Sequence, residues 1–200
     1  MFIELTDHLR CPSPHAEQFL VLLPGAMDGR RVVGGSLGCP VCGRVYGIAE
    51  GVADFGDGTP TDGRTAITAE ALAAFLGVSG PGGYVALAGG VTALAPELAA
   101  LLPGVRVALV NPPAGVADSP VASVLRAARL PLKSSSMRGV ALGADAAADP
   151  AWVADAVRAV LPGLRVVVEG GGEAPEGVEV LAHSAECWVG KKQGARELGS

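Results

Sequence analysis

Residues 37–55 read LGCPVCGRVYGIAEGVADF, and the Cys39-x-x-Cys42 spacing inside them restricts the fold more than any other feature of the chain. A tight turn between two cysteines at that spacing aims both sulfurs at one tetrahedral metal ion. A second pair of ligands is then needed, and upstream it is supplied by Cys11 together with His15 or His8. The first 55 residues must therefore fold back on themselves around the knuckle. The ligand set read from the chain is Cys11, His15, Cys39 and Cys42, with His8 as the competitor for the imidazole place. Thiolates and imidazole suit zinc, and a segment this short with few large apolar groups needs such a staple. The other reading of the knuckle is a pair of reduced buried cysteines or a redox pair. Four protein ligands leave no open position, so the site would be structural.

Around these ligands, residues 1–9 alternate like a short strand. Cys11-Pro12-Ser13-Pro14-His15 is a rigid corner, because each proline fixes its own φ and keeps the residue before it out of a helix. Residues 18–23 and 31–33 read as strands separated by a turn over 24–29. A hairpin thus lies between the two ligand pairs.

These residues carry a resemblance. Leu9-Arg10-Cys11-Pro12, a hairpin, then Leu37-x-Cys39-x-x-Cys42-Gly43-x-x-Tyr46-x-Ile48-x-x-Gly51-Val52 ending in Asp54-Phe55 resembles the methyltransferase-activator zinc ribbons. The resemblance implies a small β zinc ribbon over 1–55, held by two Cys pairs, whose segment after the second pair forms an edge that packs on a partner. The chain departs from it at Pro14, where a second Cys is expected and His15 comes next, and at Gly47, which replaces a proline.

The 200 residues are half hydrophobic, enough for a sizeable core, and only 4% aromatic, which favours tightly packed α/β layers over stacking platforms. A net charge of -5 with pI near 5.2 argues against a nucleic-acid partner, since that binding rests on clustered Lys and Arg. Four cysteines, two at a metal spacing, and no signal-like N-terminus point to a reducing, cytoplasmic setting. The run 84–105 is apolar, but Gly89, Gly90, Pro96, Pro103 and Gly104 interrupt it, so no membrane span is expected.

Residues 56–66 contain GDGTPTDG and read as a linker. Beyond it, a helix is expected over 67–76 with Thr68 as N-cap and Gly77 at its end. Strands are expected at 84–88, 106–110, 121–125, 139–142 and 165–169, with helices at 94–102 and 151–161, the latter begun by Asp149-Pro150. The end, 178–191, reads as a hairpin with Trp188 in the core, followed by a tail over 193–200. Lys191, Lys192 and Arg196 read as a solvated basic end. Strands alternating with helices imply an α/β Rossmann-like domain over 67–192 with a mostly parallel sheet.

Gly82-Gly83-Tyr84-Val85-Ala86-Leu87-Ala88-Gly89-Gly90, Leu130-Pro131-Leu132 and the run from Val160 to Val168 together resemble a shortened class I S-adenosylmethionine-dependent methyltransferase. The resemblance implies that Gly89, Gly90 and Asn111 would meet the cofactor. It also implies acidic residues in and after the first two strands and after the third. Here Ala86 and Ala88, Asn111, and Arg126-Ala127-Ala128 stand in those places. Asn111-Pro112-Pro113 reads as a turn, Asp145 as a loop or helix-cap aspartate, and Cys187 as a buried core thiol. No residue is assigned a catalytic role.

Two functional classes follow. One is a zinc-binding, non-catalytic assembly or protein-interaction subunit on a degenerate methyltransferase-like fold. The other is an active S-adenosylmethionine-dependent methyltransferase. The missing acidic residues favour the first, since a fold can persist after its site is gone.

Overall fold

The computed structural model describes residues 1–194. Among them eleven strands form one sheet, and its order explains where ligands can be held. The strands are β1 (Val21–Asp28), β2 (Arg31–Gly38), β3 (Val45–Ala49), β4 (Val52–Asp54), β5 (Tyr84–Ala88), β6 (Arg106–Val110), β7 (Ala122–Arg126), β8 (Met137–Leu142), β9 (Val160–Glu169), β10 (Val178–His183) and β11 (Cys187–Lys192). Across the sheet they run β1-β2-β3-β4-β7-β6-β5-β8-β9-β11-β10. The neighbours from β4 to β9 are parallel, while β1 to β4 and the β9-β11-β10 end are antiparallel. Sequence order reverses at β5, which has β6 on one side and β8 on the other, as in doubly wound α/β sheets.

The parallel strands are apolar on both faces because helices cover both. In β5 all five residues are buried, with Val85 and Leu87 on one side and Tyr84, Ala86 and Ala88 on the other. The Val85 side packs on helices α1 (Ala69–Leu76) and α2 (Ala95–Leu101), through Leu72, Leu76 and Leu98. The Ala86 side packs on helix α4 (Pro150–Ala159), through Ala156 and Ala159, and on Leu5 and Leu9. Helix α1 starts where its cap allows: Thr68 Oγ1 accepts from Ala71 N at 3.3 Å, and Gly77 ends it at φ +60°. Asp149 caps α4 through Ala151 N, with Pro150 in the first turn. A four-residue helix, α3 (Ala144–Ala147), precedes it. No helix of the described residues is long and apolar enough to cross a membrane, and the run at 84–105 is divided between β5, a 3-10 turn and α2.

Several local expectations need correction. Residues 1–9 are not a strand: Ile3–His8 is a 3-10 helix, which brings Leu5 and Leu9 into one core, while Phe2 makes only an isolated bridge to Arg31. The segment 24–29 is not a turn, because β1 continues through Pro24 and Gly25 to Asp28, with register shifts on either side of Ala26. An edge strand tolerates this, since Pro24 has no N–H to withhold from a second neighbour. Lys191 is exposed as expected of a solvated basic residue, but Lys192 is not. Both lie in β11, and Lys192 Nζ donates to the Arg158 and Val160 carbonyls at 2.9 and 2.8 Å. Arg196 and the rest of the tail from 195 lie outside the described residues.

Residues 1–55 and the α/β part share the sheet. Strand β4 pairs in parallel with β7, Ala53 opposite Leu125 and Asp54 opposite Arg126. The edge that the ribbon resemblance would offer to a separate partner is therefore taken by the same chain. Further ties reinforce the seam. Leu9 bridges to Leu132, Arg10 N donates to Pro131 O at 3.0 Å, and the Met1 amine donates to Gly51 O at 2.7 Å and pairs with the buried Asp118 carboxylate. Arg31 closes on the same carboxylate at 2.6 Å.

Candidate metal centre and ligand edge

The candidate metal centre is built from two turns. In the first, Cys11 N donates to Gln18 O at 3.1 Å and His15 N to Ser13 O at 2.8 Å, which closes the proline corner into a compact loop. The second is the tip between β2 and β3. Cys39 N donates to Arg44 O at 2.9 Å and Gly43 N to Cys39 O at 3.0 Å, with Gly43 at φ +70°, a value that suits glycine. The two turns bring Cys11 Sγ, Cys39 Sγ, Cys42 Sγ and a His15 ring nitrogen within 4.8 Å of one another. His8 is not among them and instead packs against the Tyr84 ring, 5.1 Å between centroids.

Two of the six ligand spacings match those of a zinc tetrahedron. Bonds of about 2.3 Å to sulfur and about 2.0 Å to nitrogen put two sulfurs about 3.8 Å apart and a sulfur and a nitrogen about 3.5 Å apart. Cys11 and Cys42 sulfurs are 3.7 Å apart, and Cys39 Sγ lies 3.5 Å from His15 Nε2. The histidine is also oriented: Nδ1 sits 2.7 Å from Ala16 O, so it carries the proton and leaves the Nε2 lone pair facing the sulfurs. Cys11 and Cys39 are buried and Cys42 is exposed.

Local dipoles prepare the sulfurs unequally. The Arg44 N–H directed at Cys42 acts most strongly and, with Ser13, His15 and Cys39, outweighs the desolvation that opposes it, bringing that thiol down to about 6. Burial works against ionising Cys11, but the Ser13 and Tyr46 hydroxyls outweigh it and the thiol falls below its ordinary value. Cys39 goes the other way, pushed up first by burial. A metal ion would supply the charge that ionises it.

The second feature lies at the carboxyl ends of the parallel strands, beside the strand reversal, where open α/β sheets bind ligands. A cavity of about 510 Å³ opens there, lined by Gly89 after β5, Asn111 after β6, Ala127 after β7, and Asp145 and Trp152 on α3 and α4. The three residues expected to meet a cofactor are thus on one edge, but the chain itself uses their polar groups and space. Asn111, at φ +54°, donates from Nδ2 to Ala127 O at 2.7 Å and accepts from Ala127 N at 2.9 Å, so its amide ties the ends of β6 and β7 together. Asp145 is not a cap: its Oδ1 accepts from Gly90 N at 2.8 Å. A side chain on Gly89 would strike Asp145, and one on Gly90 would strike the Arg64 carbonyl.

Arg64 belongs to residues 57–66, which run along this edge as a strap. Thr61 N donates to Asn111 O at 3.1 Å, and the Gly58 backbone lies against the Asn111 amide and Ala127 N. The strap ends on Glu169, 2% exposed at the end of β9. Its Oε1 accepts from Thr65 Oγ1, Ala66 N and Ile67 N at 2.5, 2.8 and 3.2 Å. Sequence reasoning passed over Glu169; a lone acidic residue closing an apolar strand was the available signal. It also passed over the hydroxyls of Ser13 and Tyr46 beside the sulfurs. Cys187 is buried in β11, as expected of a core thiol.

Neither a scan against protein-family models nor a search of curated proteins gives a match to this chain. Among solved structures the chain is similar to methyltransferases. One is a putative methyltransferase from an antibiotic biosynthesis pathway of Anabaena variabilis, at 18% identity and TM-score 0.43, over 50% of this chain and 43% of that one. Another is the antibiotic-resistance methyltransferase Kmr, at 14% identity and TM-score 0.43, over 68% of this chain and 98% of that one. A 16S rRNA methyltransferase from T. thermophilus, solved with AdoMet and guanosine, aligns at 15% identity and TM-score 0.37, over 90% of this chain and 47% of that one. The chain thus spans less than half the length of the Anabaena protein, and its structural neighbours are methyltransferases.

Proposed function

We propose that the protein is a zinc-stapled, non-catalytic interaction or assembly subunit built on a methyltransferase-like fold. The observation that carries this reading is the state of the ligand edge. The Asn111 amide is spent on Ala127, the Gly90 surface is covered by Arg64, and β6 is followed by Asn111 and not by an acidic residue, the aspartates around the cavity coming from the strap and from the segment 145–149. Zinc, held by Cys11, His15, Cys39 and Cys42, fixes the ribbon and takes no part in chemistry. Three thiols kept for a metal suit a reducing, cytoplasmic compartment.

The partner is a protein that meets the outer ribbon face. There Val21, Gly38 and Val45 form one cross-strand row, with Leu23 beside it, and Leu23 and Val45 are 61% and 67% exposed. The opposite row of Leu22, Leu37 and Tyr46 faces the core. Exposed apolar rows of this kind mark protein contacts. The net charge of -5 does not suit nucleic acid.

The second reading, an active S-adenosylmethionine-dependent methyltransferase, is favoured by the cavity of about 510 Å³ at the strand reversal. Calorimetric titration of the zinc-loaded protein with S-adenosylmethionine separates the two. The expected result is no saturable binding. A Kd tighter than about 100 μM, equivalent to more than about 5 kcal/mol of binding, would overturn the non-catalytic reading in favour of the enzyme.

A further inference from the structure

The three sulfurs of the metal centre are not supported in the same way. Backbone N–H groups of Val41 and Cys42 face Cys39, and that of Arg44 faces Cys42, as the knuckle turn itself provides. Cys11 lies on the other turn, where Pro12 and Pro14 bring no N–H at all. Its neighbourhood supplies one backbone donor, Ser13 N, and a phenol: Tyr46 Oη is 3.2 Å from Cys11 Sγ.

That phenol is 6% exposed, and its ring packs on Phe55 with centroids 4.8 Å apart. Its polar neighbours are Cys11 and, at 3.5 Å, the buried hydroxyl of Ser13, which in turn lies 3.7 Å from Cys42 Sγ. Two hydroxyl protons thus stand between two sulfurs. An ionised Cys11 accepts and does not donate, so the Tyr46 hydroxyl turns its proton toward that sulfur, and Ser13 is placed to donate to the Tyr46 oxygen. Tyr46 comes from the middle of β3 and Ser13 from the proline corner, so the pair also joins the two turns.

We infer that Tyr46, assisted by Ser13, is a positioning residue of the metal centre: it donates to the Cys11 thiolate, fixes its direction and draws charge from a three-thiolate site. This rests on the zinc reading above and adds a role for a side chain that ligates nothing. Hydrogen bonds to ligating atoms from outside the ligand set are typically worth about 10- to 100-fold in metal affinity.

The test compares wild type, Tyr46→Phe and Ser13→Ala by zinc competition against a chromogenic chelator and by the absorption of the cobalt(II)-loaded proteins. Tyr46→Phe keeps the ring against Phe55 and removes only the hydroxyl. Its zinc Kd should rise about 10- to 100-fold, and the sulfur-to-cobalt charge-transfer band should move to lower energy as the thiolate becomes more electron-rich. Ser13→Ala leaves the aromatic packing untouched and should shift the same band in the same direction. An unchanged Kd, or a weaker Kd with an unmoved band in both variants, overturns the inference, because packing alone would then account for Tyr46. Failure of wild type to bind either metal overturns the zinc reading as well, an outcome distinct from equal binding by all three proteins.

Discussion

Cys39→Ser removes one sulfur of three and leaves the knuckle turn, since Cys39 N and O keep their bonds to Arg44 and Gly43. Metal analysis should fall from about one zinc per chain to a small fraction, because a tetrahedral site short of one thiolate binds far more weakly. A different residue tests the strap. Glu169→Ala strips the acceptor from Thr65, Ala66 and Ile67 at once, leaving Ala66 N without its partner and Ile67 N with only Thr65 Oγ1 at 3.4 Å. The expected loss is about 1 to 3 kcal/mol in denaturant unfolding, with faster hydrogen exchange at residues 66 and 67. If exchange there is unchanged, Glu169 does not hold the strap. Sequence reasoning chose Cys11, His15, Cys39 and Cys42 through spacing and side-chain chemistry. It could not see Tyr46 Oη or Glu169, because nothing local marks a hydroxyl or carboxylate that acts across 35 or 102 residues of chain.

Among the elements, those with strong local signals were legible. Helices α1 and α4 carry Thr68 and Asp149 at their starts, and β5 is a short apolar run bounded by glycines. Where long-range contacts decide, the local pattern misled. The alternation over residues 1–9 suggested a strand, yet Phe2 N is bonded to Ser123 Oγ and the chain coils to bury both Leu5 and Leu9. That 3-10 helix is anchored by Glu4, which reaches Arg30 in the β1–β2 turn and Arg106 on β6 at 2.6 and 2.9 Å. Burial tends to raise the Glu4 carboxyl, but its own backbone amide and the two guanidiniums outweigh this and hold it below the ordinary range. A carboxyl lowered in the folded state stabilises above its unfolded pKa, and that stabilisation fades as pH falls through the folded value. Glu4→Gln should therefore lower Tm at neutral pH by an amount worth under about 1 kcal/mol, given the partial exposure. The difference from wild type should shrink below about pH 4. A difference that persists unchanged into acid would show that Glu4 acts without its charge.

At the scale of the molecule, one sheet passes through both the ribbon and the α/β part, and one apolar cluster includes Leu37, Tyr46, Ala86 and Trp188. Loss of metal should then be felt beyond the ribbon. Free zinc at about 1,000 times its Kd stabilises a folded chain by about 4 kcal/mol. A strong chelator should lower the melting temperature reported by the fluorescence of Trp152 and Trp188, both in the α/β part, in step with that of ribbon amides. If the tryptophan signal melts unchanged while the ribbon loosens, the two parts are not cooperative. Periodicity and turn chemistry made the α/β order readable, but the join of β4 to β7 lies between segments some 70 residues apart and left no periodic mark.

That join consists of two residue pairs, Ala53 with Leu125 and Asp54 with Arg126. Between separate molecules such a short strand contact would be open most of the time. Here residues 55–121 connect its two sides covalently, so the ribbon meets its docking strand as an intramolecular contact, at an effective concentration set by the fold and not by a second protein. An association that would otherwise depend on the abundance of a second protein becomes independent of how much protein the cell makes.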